Sequence, residues 1–324
     1  MNKEIIKLDE KDKKIVRELF INSRQSFSKI GKKVGLPKNV VAYRVKKIID
    51  NELITLFCTI FDKERLGYLN CKILLKFHHF NEKLEKKILD FLKKTKKIHW
   101  VATLEGNYDF CIIFLARNIE EMYGAYNRII YHFNNFILDK ELAIQVKGYH
   151  FPYNFLYNRL EKQVSFKKRE KNPKKPDKTD IKIINLMKQN SRISMLELME
   201  KLELSPQVIR NRIKKMEKDV MIMGYKIRFD YSLIGLNYFY NFLNLTNVDK
   251  EKEQEVISFI ASFPSTIKIV KEIGKWDLEF ECVFPSHFEL HDFLKQLKNK
   301  FPKNIQKIES SLICKIHDIN TVKY

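Results

Sequence analysis

The chain has few of the residues that build disulfide-rich or collagen-like proteins. Its 324 residues include nine glycines, eight prolines and five cysteines. The cysteines lie far apart and form no Cys-x-x-Cys pair, and most fall in apolar, strand-like stretches (Cys58, Cys71, Cys111, Cys282 and Cys314). This usage favours buried, reduced thiols in a cytoplasmic protein over a disulfide framework.

Long apolar runs and targeting signals are also missing. No stretch approaches the roughly 18 apolar residues that a membrane-spanning helix needs. The N-terminal stretch MNKEIIKLDEKDKK is charged and lacks the apolar centre of a secretory signal. We therefore expect a cytoplasmic protein that makes no membrane contact.

Sequence signatures of common enzyme classes are absent as well. The sequence contains no glycine-rich phosphate loop, no nucleophile elbow and no HExxH motif. His287 and His291 stand four apart on a predicted helix, but no cysteine or further histidine stands close to them in sequence. A solvated helix face explains this pair better than a metal site. The sequence thus predicts no catalytic residue, cofactor or metal.

What the chain has in excess is positive charge. It carries 61 Lys and Arg against 40 Asp and Glu, a formal net charge of +21 at pH 7. Such an excess favours a polyanionic partner, although a general lysine-rich composition explains part of it. The placement of the charges has to decide between nucleic acid and an anionic surface.

The sequence repeats itself at a constant offset of 168 residues. The matched segments include RVKK at 44–47 with RIKK at 212–215, FD at 61–62 with FD at 229–230, and GNYD at 106–109 with GKWD at 274–277. The chain is therefore two copies of one unit of about 150 residues. Residues 161–176 between the copies are basic and poor in apolar residues, which is typical of a linker.

Each copy begins with three predicted short helices. In the second copy Asp177, Ser194 and Ser205 are suited to N-cap them, and Pro206 suits the first position of the third helix. Asp9, Ser26 and Pro37 take these places in the first copy, and strand-like segments follow at 54–61 and 222–229. This order predicts a helix-turn-helix, followed by a small wing or by a strand leading out of the domain.

The third helix of each copy has an apolar back and a polar front. Ile209, Ile213 and Met216 form the back in the second copy, and Val41, Val45 and Ile48 form it in the first. Arg, Lys, Asn and Gln on the front suit base edges in the major groove, and cations on the flanks suit phosphates. The predicted DNA contacts are Lys38, Asn39, Tyr43, Arg44, Lys46 and Lys47 in the first copy, and Gln207, Arg210, Asn211, Arg212, Lys214 and Lys215 in the second.

The remainder of each copy alternates in the order β-α-β-β-α-β. That order predicts a ferredoxin-like sandwich with both helices on one face of an antiparallel sheet, leaving the other face for the second copy to cover. The fold class is therefore α+β. The predicted domains are 1–64 and 177–232 (winged helix-turn-helix) and 65–160 and 233–324 (ferredoxin-like).

Taken together, LSPQVIRNRIKKMEKDVMIMGYKIRFDYSLIGL, GLPKNVVAYRVKKIIDNELI and the turns GNYDF and GKWDLEF resemble the Lrp/AsnC transcriptional regulators. The resemblance covers nearly the whole chain twice. It implies a regulator that binds double-stranded DNA, with the family's dimer held in one chain and further association possible. It also implies an amino-acid effector near the turn between the second and third strands of each sheet.

The effector residues implied by this resemblance are Gly106, Asn107, Tyr108 and Asp109, and Gly274, Trp276 and Asp277. A tight hairpin turn stabilised by the aspartates explains the same residues without a ligand. Two other functions stay open. One is a siroheme decarboxylase of the same architecture, although the Cys-Tyr-Arg-Arg type stretch of those enzymes is not found. The other is an architectural DNA binder without sequence preference.

Overall fold

The computed structural model describes residues 5–157, 175–188 and 190–324. Residues 161–174 of the predicted linker lie outside these ranges. The first copy contributes α1 (Glu10–Ile21), α2 (Phe27–Val34), α3 (Lys38–Asp50), β1 (Ile54–Phe61), β2 (Leu69–Phe77), α4 (Glu82–Lys94), β3 (Ile98–Gly106), β4 (Phe110–Ala116), α5 (Ile119–Phe133) and β5 (Ile137–His150). The second contributes α6 (Lys178–Met187), α7 (Met195–Leu202), α8 (Pro206–Lys218), β6 (Ile222–Phe229), β7 (Asn237–Leu245), α9 (Lys250–Ala261), β8 (Thr266–Ile273), β9 (Leu278–Phe284), α10 (His287–Lys300) and β10 (Ile305–His317). This order confirms the predicted α+β class, with two helix-turn-helix domains each followed by a βαββαβ domain.

The helix starts follow from local side-chain chemistry. Asp177 accepts a hydrogen bond from the backbone N–H of Asp180 at 2.9 Å, and Asp180 accepts one from the N–H of Asp177 at 3.3 Å. This reciprocal capping box satisfies donors that the first turn of α6 leaves free. Asp9 caps α1 with a single bond of this kind, accepting the backbone N–H of Asp12 at 2.7 Å.

The chain forms two compact units, and each contains parts of both copies. The head unit contains the described residues up to Leu66, those of Pro152–Gly235, and Tyr324. It therefore holds both helix-turn-helix domains. The barrel unit contains Gly67–Phe151 and Leu236–Lys323, and so both βαββαβ domains.

In the head unit, the strand that leaves each helix-turn-helix pairs with the corresponding strand of the other copy. β1 and β6 form a two-stranded antiparallel sheet in which Cys58 lies opposite Lys226. Phe61, at the end of β1, is buried in the core of the second copy together with Ile183 and Ile213. Each copy thus supplies one strand, and the predicted wing is a ribbon shared by the two domains.

In the barrel unit, each copy forms a four-stranded antiparallel sheet with its helices on one face. β5 pairs with β8 and β3 pairs with β10, so the two sheets close into one eight-stranded barrel. The inner faces meet in a core to which the first copy contributes Leu74 and Ile113, and the second Tyr240 and Phe242. The face of each sheet that its own helices leave open is therefore covered by the sheet of the other copy. The edge strands of the two sheets also pair with each other.

A buried ion network links the two copies inside this barrel. The Nζ of Lys72 lies 2.6 and 2.7 Å from the two carboxylate oxygens of Glu272 and 2.5 Å from Oε2 of Glu279, and all three side chains are fully buried. The hydroxyl of Tyr240 donates to Glu279 at 2.5 Å. Lys72 belongs to the first copy and both glutamates to the second, so this charge matching joins unlike copies.

The network holds more carboxylates than ammonium groups. Besides Lys72 and its two glutamates it contains Lys268, whose Nζ lies 2.7 Å from Glu281. Burial, and then the charge of Glu279, raise the pKa of Glu272 to about 8. Burial acts to raise the pKa of Glu279 too, but Lys72 and Lys268 outweigh it and lower that pKa to about 2. Glu272 is therefore the site that holds the extra proton near neutral pH.

We predict that Glu272 makes stability fall as pH rises from about 5 to 8. In this window the folded chain keeps a proton on Glu272 that the unfolded chain releases, so the free energy of unfolding decreases by at most about 1.4 kcal/mol per pH unit. Chemical denaturation of the wild type and Glu272→Gln across this range measures the effect, and the difference between the two curves isolates Glu272 from other titrating groups. The exposed Glu255→Gln serves as a control that keeps the wild-type slope. Parallel wild-type and Glu272→Gln curves would contradict the assignment.

Candidate DNA-binding interface and effector turns

The two third helices, α3 and α8, are anchored by their apolar backs. Val41 and Val45 in α3 and Ile209 and Ile213 in α8 are buried. The opposite faces are exposed and carry most of the predicted DNA contacts: Lys38, Asn39, Tyr43, Lys46 and Lys47 in α3, and Gln207, Arg210, Asn211, Lys214 and Lys215 in α8. The amide of Gln207 donates to Asn211 Oδ1 at 3.1 Å, so these two side chains already lie side by side on that surface. The fronts offer donors and acceptors of the kind that read base edges.

Two of the predicted phosphate contacts, Arg44 and Arg212, are half-buried and hold ion pairs. Nη1 of Arg44 donates to Asp9 at 2.6 Å and to Asp12 at 2.8 Å. Arg212 makes the equivalent bonds with the capping residues of α6, Asp177 at 2.7 Å and Asp180 at 2.9 Å. The contact of these arginines with DNA stays a prediction, while their ion pairs tie α3 to the start of α1 and α8 to the start of α6.

The N-cap aspartates of these ion pairs, Asp9 and Asp177, have lowered pKa values. The backbone N–H of Asp12 and then the Arg44 guanidinium lower the pKa of Asp9. For Asp177, Arg212 is the largest cause of a lowered pKa. Two acidic residues at the start of the first helix and an arginine in the third helix recur in both copies. This repeated pattern is the sequence signal from which the ion pairs could have been predicted.

The predicted effector residues occupy the β3–β4 and β8–β9 turns of the barrel unit. Asp109 accepts the backbone N–H of Phe77 at 2.8 Å, and Asp277 accepts that of Leu245 at 2.7 Å. Gly106 has a φ of 134°, and a Cβ there would lie 2.9 Å from the carbonyl oxygen of Ser310. Both aspartates therefore stabilise the hairpin turns, and the glycine permits the backbone conformation and the close approach of the neighbouring strand.

The barrel unit brings these two turns together. The buried rings of Tyr108 and Trp276 meet edge to face with centroids 5.8 Å apart. Nζ of Lys275 donates to the Tyr108 hydroxyl at 2.8 Å and pairs with Glu141 at 2.9 Å. Nδ2 of Asn107 donates to Glu309 Oε2 at 3.2 Å. The side chains of the two turns therefore pack against each other and against neighbouring strands. The role of these turns in effector binding stays a prediction.

One polar group in this cluster is buried without a partner. Among the residues that the structure describes, the indole Nε1 of Trp276 has no hydrogen-bond acceptor. A buried donor of this kind is costly to leave unpaired.

Within 5–157, 175–188 and 190–324, no group of three or more His, Cys, Asp or Glu side chains is placed to hold a metal ion. In the described part of the chain, no helix combines the length and the apolar character that crossing a bilayer requires.

Comparison with known families identifies both copies of the helix-turn-helix. Residues 8–48 match the AsnC-type helix-turn-helix domain, and residues 176–219 match a winged helix-turn-helix DNA-binding domain. An uncharacterized HTH-type transcriptional regulator of Pyrococcus furiosus is 28% identical over 134 residues, which cover 40% of this chain and 86% of that protein. The transcriptional regulator AzlB of Bacillus subtilis is 27% identical over 135 residues, which cover 41% of this chain and 79% of AzlB.

Among solved structures, that of the siroheme decarboxylase NirDL shares the fold over nearly the whole chain. It covers 97% of this chain and 94% of NirDL, with a TM-score of 0.63 and 12% sequence identity. Likeness at this identity concerns the fold alone. The two matches show that the chain carries two helix-turn-helix domains in tandem, the first of them of the AsnC type, and both relatives are named as transcriptional regulators.

Proposed function

We propose that the protein is a DNA-binding transcriptional regulator that acts in the cytoplasm and has no enzymatic activity. The observation that carries the proposal is the exposed basic and amide front of α3 and α8 on a buried apolar back, repeated in both copies. The family matches and the relatives named as transcriptional regulators support it. In this proposal the two units of the chain form an intramolecular pseudo-dimer.

The two recognition faces differ, so the protein reads an asymmetric site. Where α3 presents Ala42 and Tyr43, α8 presents Arg210 and Asn211. Arg donates to guanine and Asn pairs with adenine, whereas alanine and tyrosine at the equivalent places offer apolar contact. A symmetric palindrome would match only one of the two faces.

We predict different losses for Arg210→Ala and Lys215→Ala. If Arg210 reads a base, its removal costs about 1–3 kcal/mol of binding free energy at the preferred site and little on random duplexes. Lys215→Ala instead weakens binding to all sequences evenly and flattens the salt dependence by about one unit of slope. Fluorescence anisotropy with a duplex selected from random DNA, and with a scrambled duplex of equal length, measures both.

The same titrations separate the proposed regulator from an architectural DNA binder. The matched control is Lys201→Gln, an exposed residue of α7 outside the predicted contacts, which should leave binding unchanged. If the wild type binds selected and scrambled duplexes equally, and both Arg210→Ala and Lys215→Ala lose equally on each, the protein does not read sequence through Arg210.

A small-molecule effector, such as an amino acid, is the second part of the proposal. The unpartnered Nε1 of Trp276 supports it, because a carboxylate or carbonyl oxygen of a ligand would satisfy this donor. The neighbouring Lys275 supplies a cation for a carboxylate, in competition with Glu141. The first-copy turn has Asn107 and Tyr108 at these places, so the two turns are not equivalent.

We predict that an amino-acid effector raises the melting temperature of the wild type and that Trp276→Phe removes this response. The phenylalanine ring keeps most of the packing but lacks the N–H. A thermal-shift panel of the twenty amino acids at millimolar concentration makes the measurement, with Tyr123→Phe, an exposed aromatic residue, as the control. An equal response in wild type and Trp276→Phe would place the effector elsewhere.

The whole-chain fold similarity to NirDL supports one alternative, a protein that acts on siroheme. It covers 97% of this chain, whereas the matches to the relatives named as transcriptional regulators cover about 40%. If this alternative holds, the purified protein or its mixture with an iron tetrapyrrole shows a shifted Soret absorbance with saturable binding. The regulator proposal predicts sequence-specific DNA binding and no such shift.

A further inference from the structure

Two arginines face each other where the two helix-turn-helix copies meet in the head unit. Arg24 follows α1 and Arg192 follows α6, at positions related by the offset of 168. Nη1 of Arg192 donates to the carbonyl oxygen of Ser23 at 2.5 Å, and Nη1 of Arg24 donates to that of Ser191. The buried hydroxyls of Ser23 and Ser191 lie 2.6 Å apart, which places this contact on the pseudo-twofold axis.

The positive charges of this pair have no anionic partner in the described structure. Neither guanidinium lies within 4.0 Å of a carboxylate among the described residues. Their other neighbours are rings: Cζ of Arg24 lies 5.9 Å from the centroid of Tyr225, and Cζ of Arg192 lies 4.4 Å from that of Phe27. Burial, and then the charge of Arg24, lower the pKa of Arg192. Two like charges are thus held close together in a partly desolvated place.

A cavity of about 220 Å³ opens at this place, and Arg24, Arg192 and Ile193 line it. The bonds to the opposite copy use only Nη1 of each arginine, which leaves Nε and Nη2 as donors. Two guanidinium groups suit an oxyanion because each can offer parallel N–H donors to its oxygens. We propose that this cavity, the twin-arginine cavity, is a binding site for a phosphate group or a similar tetrahedral oxyanion.

Such a phosphate can come from two sources. One is the backbone of a duplex bound by the head unit, since a site on the pseudo-twofold axis is equidistant from the two helix-turn-helix domains. The other is a free anion that binds the head and fixes the contact between the copies. Only the first source rests on the proposed DNA-binding function, and the site itself does not.

The wild-type protein alone gives the first test. Inorganic phosphate should raise its melting temperature above that in chloride of equal ionic strength. The rise should be about 2–4 °C at a roughly five-fold excess over the dissociation constant. Crystals soaked in selenate should show an anomalous peak between Arg24 and Arg192. No preferential stabilisation and no peak at this place would overturn the proposal.

Variants test whether the arginines cause the effect. Arg24→Gln and Arg192→Gln, made singly, should each abolish the phosphate response, while Lys201→Gln in α7 keeps it. Arg24→Lys preserves the charge but not the fork, and should respond more weakly than the wild type. If a glutamine variant fails to fold, the lysine variant and the selenate peak still decide. A phosphate response that is the same in wild type and all folded variants would contradict the assignment.

Salt titrations with DNA distinguish the two sources. If the duplex supplies the phosphate, Arg24→Lys lowers DNA affinity, inorganic phosphate competes with the duplex, and Arg24→Gln flattens the salt slope by about one. If a free anion is the ligand, the phosphate response depends on the arginines but the salt slope does not. A protein that binds no DNA at all would refute the proposed function and leave the thermal and selenate tests intact.

Discussion

Neither helix-turn-helix of this protein is completed by its own copy alone. β1 leaves the first copy and buries Phe61 in the core of the second, where it meets Ile183 and Ile213. The hydroxyl of Thr59 donates to the carbonyl oxygen of Met187 at 2.8 Å, and the N–H of Ser191 donates to that of Phe57 at 2.7 Å. Since β1 and β6 also pair with each other, the orientations of α3 and α8 are set together. The proposed binding of DNA by α3 and α8 therefore depends on this pairing.

In the barrel unit, buried charges favour the pairing of a first-copy domain with a second-copy domain over the pairing of two identical domains. Lys72 meets Glu272 and Glu279, whereas the positions related to these by the 168-residue offset hold Tyr240, Leu104 and Cys111. Two first-copy domains would bury two lysines without carboxylates, and two second-copy domains would bury four glutamates without a lysine from the partner. A buried charge left without its partner costs about 3–5 kcal/mol. Fusion therefore allows an asymmetry that a dimer of identical chains does not have.

Much of the fold could be predicted because it depends on local patterns. Apolar spacing and N-cap residues such as Asp177 and Ser205 locate the helices, and the constant offset reveals the duplication. The exposure of Arg210 and Asn211 follows from the burial of Ile209 and Ile213 on the same helix. The helix features need only a few neighbouring residues of sequence, and the duplication needs only a comparison of the chain with itself.

The rest could not be predicted because it depends on partners far apart in the chain. Nothing within β1 indicates that it pairs with β6, and Lys72 looks like an ordinary strand residue until two distant glutamates surround it. For the same reason the sequence placed Arg44 on the DNA flank without revealing its bonds to Asp9 and Asp12. The turns at 106–109 and 274–277 could be located, but their packing against each other could not.

We propose that α3 and α8 bind DNA as one rigid pair, because β1 and β6 join the two helix-turn-helix domains. The most direct measurement is the affinity of the full chain for duplexes that carry its two half-sites at spacings increased one base pair at a time. A fixed pair predicts one best spacing, with a marked loss of affinity when about five base pairs are inserted and partial recovery after a full turn of about 10 base pairs. Equal affinity at every spacing would show that the two helices bind independently, and would contradict the account.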